Sequence, residues 1–284
     1  MTLPGYIDLH SHLVPAVDDG CSCIDESLAC VRELCKRGFT GTVCTPHACV
    51  DEYPDNVPAT IARWVAELQQ RITAAGITYQ LWAGAEVRLT PGTVDWFQRH
   101  GVPTLGASNF VLVDYWGRAW PDYADAALEY LAARRYRPVL AHPERMGLPD
   151  DEFELVVSRL VETGVLLQGN LRCITGLDGR LEQRRMHALL GQGRYQLLAT
   201  DVHGPVDLME RLAGMTEVYA LHGAAALAQL LSTRPRSIVA AAEEAGVKRC
   251  SRTWAASPCA RGVRTHVRWN DATRAKPEGA ARRG

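Results

Sequence analysis

The sequence contains no apolar run long enough to cross a bilayer. Its first residues, Met1 to Tyr6, carry neither a basic nor an apolar leader segment. Neither membrane insertion nor secretion is therefore expected. The nine cysteines are an odd number, with no CxxC pair and no regular framework. That argues against a disulfide scaffold and for reduced, buried thiols in a cytoplasmic protein. A Gly-rich phosphate loop is missing too, which removes the usual sign of a nucleotide-binding sheet. Charge of either sign is not in excess, with 31 Lys and Arg against 32 Asp and Glu.

That balance hides an asymmetry. Ten basic residues and two acids follow Val247, which leaves 21 basic and 30 acidic residues before it. Residues 248–284 show little apolar periodicity and are expected to form a basic, disordered tail without a specific nucleic-acid ligand. No stretch before Val247 reads as a linker. An apolar fraction of 47% with 22% charged residues is ordinary for a globular protein, so residues 1–247 are expected to be one domain.

What the chain does have is a recurring pattern. Seven short apolar runs, at about residues 7–9, 41–45, 78–83, 110–113, 138–141, 165–167 and 196–199, read as strands. Helical periodicities alternate with them, which predicts parallel β-α units. Asp25 is expected to cap the first helix, and two or three helices are expected after residue 206.

Each run ends in a polar residue that can bind a cation. His10 and His12 follow the first, with Asp18 and Asp19 in the next loop. His47 follows the second, Glu86 the third, Asp114 the fourth and His142 the fifth. Gln168 and Asn170 end the sixth, and Asp201 and His203 the seventh. Residues i and i+2 of an extended chain share a side, so His10 and His12 can aim at one point. In a closed parallel barrel all such ends meet on one face, so a TIM-like barrel is the expected fold.

Five histidines and four acids make nine candidate ligands: His10, His12, Asp19, His47, Glu86, Asp114, His142, Asp201 and His203. Imidazoles mixed with carboxylates suit zinc, manganese or iron. Nine donors suffice for two or three ions, with a carboxylate such as Glu86 bridging. Adjacent cations suit phosphate-ester hydrolysis, and Arg145 could grip phosphate oxygens bidentately. Asp8 reads as a supporting residue, and Gln168 and Asn170 as partners of buried backbone. Trp116 and Trp120 read equally as core or as a lid. His100, His187, His222 and His266 read as structural. Cys21 and Cys23 are the cysteines nearest the Asp18-Asp19 loop.

The segments Asp8-Leu9-His10-Ser11-His12, Asp18-Asp19-Gly20, Thr45-Pro46-His47, Gly84-Ala85-Glu86, His142-Pro143-Glu144-Arg145 and Thr200-Asp201-Val202-His203 resemble the polymerase and histidinol phosphatase (PHP) superfamily. Within it, the chain looks most like the manganese-dependent protein-tyrosine phosphatases of capsule and exopolysaccharide synthesis. The resemblance implies a distorted (β/α)7 barrel and a three-metal centre of manganese, or of iron or zinc, held by those nine residues. It implies catalytic roles for Arg145, Asp201 and His203, with Arg145 holding the phosphate. A hydroxide bridging the metals would attack phosphorus, in keeping with the absence of a C-x5-R loop. The implied partner is the phosphotyrosine-bearing tail of a kinase that regulates polysaccharide synthesis. Two residues depart from the branch. Asp114 stands where Glu is usual, and Leu208 where an arginine is usual, with Arg211 one helical turn on. The alternatives are a phosphoesterase of histidinol phosphate or a nucleotide, and a degenerate metal-binding scaffold.

Overall fold

The structure is a computed structural model that describes residues 5–240. The expected basic tail and His266 lie outside the described residues. The chain alternates strand and helix: β1 (Tyr6–Asp8), α1 (Ile24–Lys36), β2 (Phe39–Cys44), β3 (His47–Ala48), α2 (Pro58–Ala74), β4 (Gln80–Ala83) and β5 (Glu86–Arg88). There follow α3 (Thr93–His100), β6 (Phe110–Asp114), α4 (Asp122–Ala133), β7 (Arg137–Ala141) and a 3-10 turn at Pro143–Arg145. After these come α5 (Asp150–Glu162), β8 (Leu166–Asn170), α6 (Leu171–Ile174), α7 (Arg180–Gly191), β9 (Leu197–Ala199), α8 (Leu208–Ala228) and a π-helical turn at Gln229–Thr233.

Local chemistry explains these elements. Helix α2 starts with Pro58 in its first turn, where a missing N–H removes no helical bond. It buries Ile61, Val65, Leu68 and Ile72 on one face, each burial worth about 1.5–3 kcal/mol. Helix α1 corrects one expectation. Its cap position is Cys23, which makes no side-chain cap, and Asp25 lies in the first turn. There its charge favours the helix dipole, while Glu26 reaches back to accept the Ser22 N–H at 2.6 Å. Helix α3 was not expected from the periodicity. It is short, entered through Gly92 at φ +90°, and anchored by buried Trp96 and Phe97. At the C-terminal end, α8 runs to Ala228 but breaks at Gly223, whose φ of +80° no helix accommodates.

Two wholly parallel sheets result, β1-β2-β4 and β3-β5-β6-β7-β8-β9. The second and third expected strands, β2 and β4, are each followed by a further short strand, β3 and β5. Pro46, which cannot donate to a ladder, separates β2 from β3, and Gly84-Ala85 separates β4 from β5. The two sheets stay in register across these breaks, since Gly84 N–H donates to Cys44 O at 2.9 Å and Glu86 N–H to Pro46 O at 3.2 Å. Past β1, a parallel bridge pairs Ser11 with Val202. There His12 N–H donates to Val202 O at 2.8 Å, and Asp201 N–H to His10 O at 3.0 Å.

Strand residues alternate between two apolar clusters, as the period of two requires. Val111, Val113, Leu140 and Leu198 pack in the large cluster with the helices. Leu112, Val139, Ala141 and Leu197 pack with Ile7, Leu9 and Val43 in a smaller one. Apolar residues on both faces account for runs that looked continuous rather than alternating.

Candidate metal centre

Side chains that follow β1, β7 and β9 converge with His47 and Glu86, which open β3 and β5. Three overlapping groups have donor atoms within 4.8 Å of one another: His12, Asp19, His47 and His203; His10, Glu86 and His142; and His10, His12 and Asp201. Eight of the nine expected residues belong to them. Asp114 does not, and its nearest cluster contact is Oδ1 to His142 Nδ1 at 3.7 Å. Glu86 faces every group. Its Oε1 lies 2.9 Å from His142 Nε2, and its Oε2 lies 2.9 Å from His47 Nδ1.

The innermost four donors have a regular spacing. His10 Nε2 and His12 Nε2 are 3.3 Å apart. Glu86 Oε2 lies 3.3 Å from the first and 3.4 Å from the second. Asp201 Oδ1 lies 3.3 Å from both. Neighbouring ligands at about 2.0–2.1 Å from a tetrahedral cation lie about 3.3–3.4 Å apart, and each of these five pairs has that spacing, with His10 and His12 shared between the Glu86 side and the Asp201 side. A second triangle forms where Asp19 Oδ1 meets His47 Nε2 at 3.3 Å and His203 Nε2 at 3.4 Å.

Partners behind the imidazoles fix which nitrogen faces inward. His12 Nδ1 is 2.7 Å from Asp18 Oδ2. A carboxylate only accepts, so Nδ1 carries a proton and Nε2 is the nitrogen left to face the centre. His10 Nδ1 lies 2.8 Å from the Gln168 amide oxygen, whose Nε2 donates to Gly169 O at 2.7 Å. His203 Nδ1 lies 2.8 Å from Asp201 O. Such outer partners orient metal-binding imidazoles. Asp18 also accepts the His47 N–H at 3.0 Å, so one carboxylate organises two candidate ligands. By sequence Asp18 reads only as half of an acidic pair, and that adjacency is the available signal. Gly20 lets this loop close on His12, because a Cβ there would collide with the His12 backbone carbonyl and Cβ. Asp8 is buried and accepts from the Thr200 N–H at 3.0 Å and from the Thr200 hydroxyl. It ties β1 to the segment that carries Asp201.

Buried polar atoms are left over on the inner side. Asp201 Oδ2 accepts from Asn170 Nδ2 at 2.7 Å, Arg145 Nη1 at 2.9 Å and Arg211 Nη1 at 3.3 Å. Its Oδ1, Asp114 Oδ1 and His47 Nδ1 make no aligned hydrogen bond, although cluster atoms lie close to them. Orphaned buried donors and acceptors are rare unless something else satisfies them. Backbone strain gathers here as well, with His142 at φ +29° and Asp201 at φ +52°, a cost of about 1–3 kcal/mol each.

The electrostatics point the same way. Burial opposes charge on Glu86, yet His10 and His47 hold its pKa well below the carboxylate range. Burial likewise opposes charge on Asp201, and His10 and His203 overcome it. For His47, burial is outweighed by Glu86, and its pKa is pushed up to about 10. His12 rises well above its ordinary value against burial, through Asp18. Asp114 rises because burial and the Glu86 charge both disfavour its ionised form. The carboxylates therefore draw positive charge into the site, and a divalent cation would displace the imidazole protons.

The centre opens to solvent through a cleft of about 390 Å³. Arg88, Trp116, Arg145 and Arg211 line it beside Asp19, His47, Glu86, His142, Asp201 and His203. Arg211 is the arginine that the sequence placed one turn beyond Leu208. It is buried, donates to Thr200 O at 3.1 Å and pairs with Asp207 at 2.8 Å. Leu208 is buried in the core. Trp116 lies at the cleft and Trp120 does not. The Trp120 ring packs on Tyr115 at 5.1 Å, and its indole N–H donates to Asp125 at 2.8 Å. Cys21 is buried with its Sγ 4.0 Å from that of Cys30, and Cys23 is exposed. His100 packs on Trp96 at 5.5 Å, away from the cluster.

Comparison with known proteins agrees with this geometry. The family profile for capsular polysaccharide synthesis, CpsB/CapC, matches residues 6–240. The tyrosine-protein phosphatase YwqE of Bacillus subtilis is 26% identical over 197 residues, 69% of this chain and 77% of that protein. The tyrosine-protein phosphatase CpsB of Streptococcus pneumoniae is 26% identical over 245 residues, 82% of this chain and 98% of that protein. Crystal structures of YwqE and CpsB, described as metal-dependent tyrosine phosphatases, match the fold with a TM-score of 0.68 at 23% identity, over 84% of this chain and 92% of theirs. A phosphotriesterase homology protein from Escherichia coli shares the fold more distantly, with a TM-score of 0.50 at 14% identity, over 84% of this chain and 99% of that one.

Proposed function

The chain belongs to the CpsB/CapC family of capsular polysaccharide synthesis, and from that premise we propose that it is a metal-dependent protein-tyrosine phosphatase. Its substrate is the phosphotyrosine-bearing tail of a kinase that regulates capsule or exopolysaccharide synthesis. The observation that carries this reading is the spacing of 3.3–3.4 Å that His10 Nε2 and His12 Nε2 keep from each other and from both Glu86 Oε2 and Asp201 Oδ1.

His10, His12, Glu86 and Asp201 would hold one cation, and Asp19, His47 and His203 a second. Glu86 and His142, with Asp114, would hold a third. The mixed nitrogen and oxygen donors suit manganese, with iron or zinc as alternatives. Bound cations would neutralise phosphoryl charge and acidify a water. The chain's own residues do the rest. Arg145 binds the phosphoryl oxygens as a planar fork, and Arg211 adds a second guanidinium from one turn into α8. Asp201 aligns both arginines through Oδ2. His203 is partly open to solvent, and its catalytic part is to hold the second cation beside the cleft. A departing phenolate, with a pKa of about 10, needs little help from a proton donor.

The open cleft favours a protein tail over an enclosed small ester. We read residues 1–247 as one domain whose sheets form a distorted seven-stranded barrel, a reading supported by the Ser11–Val202 bridge. Among the described residues no helix is long and apolar enough to cross a membrane. The free cysteines favour a reducing, cytoplasmic setting.

The test is hydrolysis of a phosphotyrosine peptide by the full chain, compared with histidinol phosphate and a nucleotide. The peptide is expected to be turned over with Mn(II) and spared after chelation. Preference for a small ester would redirect the substrate, and indifference to chelator would refute the metal centre.

A further inference from the structure

Nine of the ten side chains lining the cleft are imidazole, carboxylate or guanidinium, and the tenth is Trp116. It is 48% exposed, an unusual state for so large an apolar group. Its orientation is nonetheless fixed. The indole N–H donates to Asp114 Oδ2 at 2.5 Å, and the ring meets His142 edge-on at 5.8 Å. The Arg145 guanidinium lies 5.2 Å from the ring centroid. An ester group on a phosphate gripped by Arg145 would therefore emerge beside the indole. No other lining side chain offers it an apolar surface.

We propose that Trp116 is a specificity-determining residue, whose exposed indole face packs on an aromatic leaving group and selects aryl over alkyl phosphate esters. The assignment rests on the phosphatase reading above and adds the residue that recognises the ring. Aromatic rings pair in offset or edge-on geometries, and a preoriented indole loses little freedom on binding.

The test compares phenylphosphonate with methylphosphonate, which share a head group and differ in the ring. Dissociation constants are measured by titration calorimetry on the full-length, Mn(II)-loaded protein. Wild type is expected to bind phenylphosphonate more tightly. In Trp116→Ala that preference should fall about 3- to 10-fold. Trp116→Phe keeps a ring but loses the N–H to Asp114, and should retain most of the preference. Any weakening of the metal site through Asp114 acts on both phosphonates alike and cancels in the ratio. An unchanged ratio in Trp116→Ala overturns the assignment. Equal loss in Trp116→Phe also overturns it, by assigning the effect to the N–H. Wild type binding neither phosphonate would bring down the phosphatase reading and this inference together.

Discussion

His10 Nε2 and His12 Nε2 face each other across 3.3 Å in a fully buried site. Each ring is committed on its far side, His10 to Gln168 and His12 to Asp18. With the outer nitrogens donating, a cation that displaces the inner protons would find both inner lone pairs aimed at one point. The pair is legible as a ligand set because its second partners leave it few other roles.

Replacing both histidines, His10→Ala with His12→Ala, should therefore abolish metal binding at this position. The loss should exceed the roughly 10- to 100-fold effect typical of an outer partner. Phosphotyrosine hydrolysis should vanish with it while circular dichroism stays native. Retained turnover would refute the assignment.

Asp18→Ala is expected to act more gently. The ligands remain, but His12 and the His47 backbone lose their shared acceptor. Manganese affinity should drop about 10- to 100-fold, and high Mn(II) should restore most of the hydrolysis. Metal titration followed by activity checks this, and unchanged affinity would mean that Asp18 is only structural.

Asp114→Glu tests the residue that stands apart. Asp114 Oδ1 is buried and unpartnered, 3.7 Å from His142. An added methylene brings the carboxylate toward Glu86 and His142. Metal retained per chain after dialysis should rise relative to wild type; a fall would show that Trp116 and Asp114 form a unit tuned to the shorter side chain.

Arg211→Met should lower kcat/KM on a phosphotyrosine peptide about 100-fold, as expected for removing one donor aimed at developing charge. It also strips a buried partner from Asp207 and Asp201. Asp201 keeps Arg145 and Asn170, so denaturant melts should show a loss nearer 3 than 5 kcal/mol. Lysine at this position keeps the charge but not the fork, and is expected to fall between the two.

Much of this site was legible from strand ends. His10, Glu86, His142 and Asp201 were identified because each follows an apolar run, and parallel topology places such ends together. The short strands β3 and β5 were harder to see, since two or three residues past Pro46 and past Gly84-Ala85 give no periodicity to read. Helix α3 escaped notice because eight residues give little more than two turns of periodicity. Asp25 looks like a cap by type, but Cys23 holds the cap position and Glu26 accepts from Ser22 ahead of it. The roles of Asp18 and Gln168 depend on which ring nitrogen each faces, which spacing does not encode. Arg211 was suggested only by helical phase, and its pairing with Asp201 is a tertiary fact.

The central claim is that this donor cluster holds cations. Anomalous diffraction at the manganese edge, from crystals of the full chain grown with Mn(II), tests it most directly. Peaks are predicted within coordination distance of His10, His12, Glu86 and Asp201, of Asp19, His47 and His203, and of Glu86 and His142. A map without anomalous signal among these side chains would contradict the account.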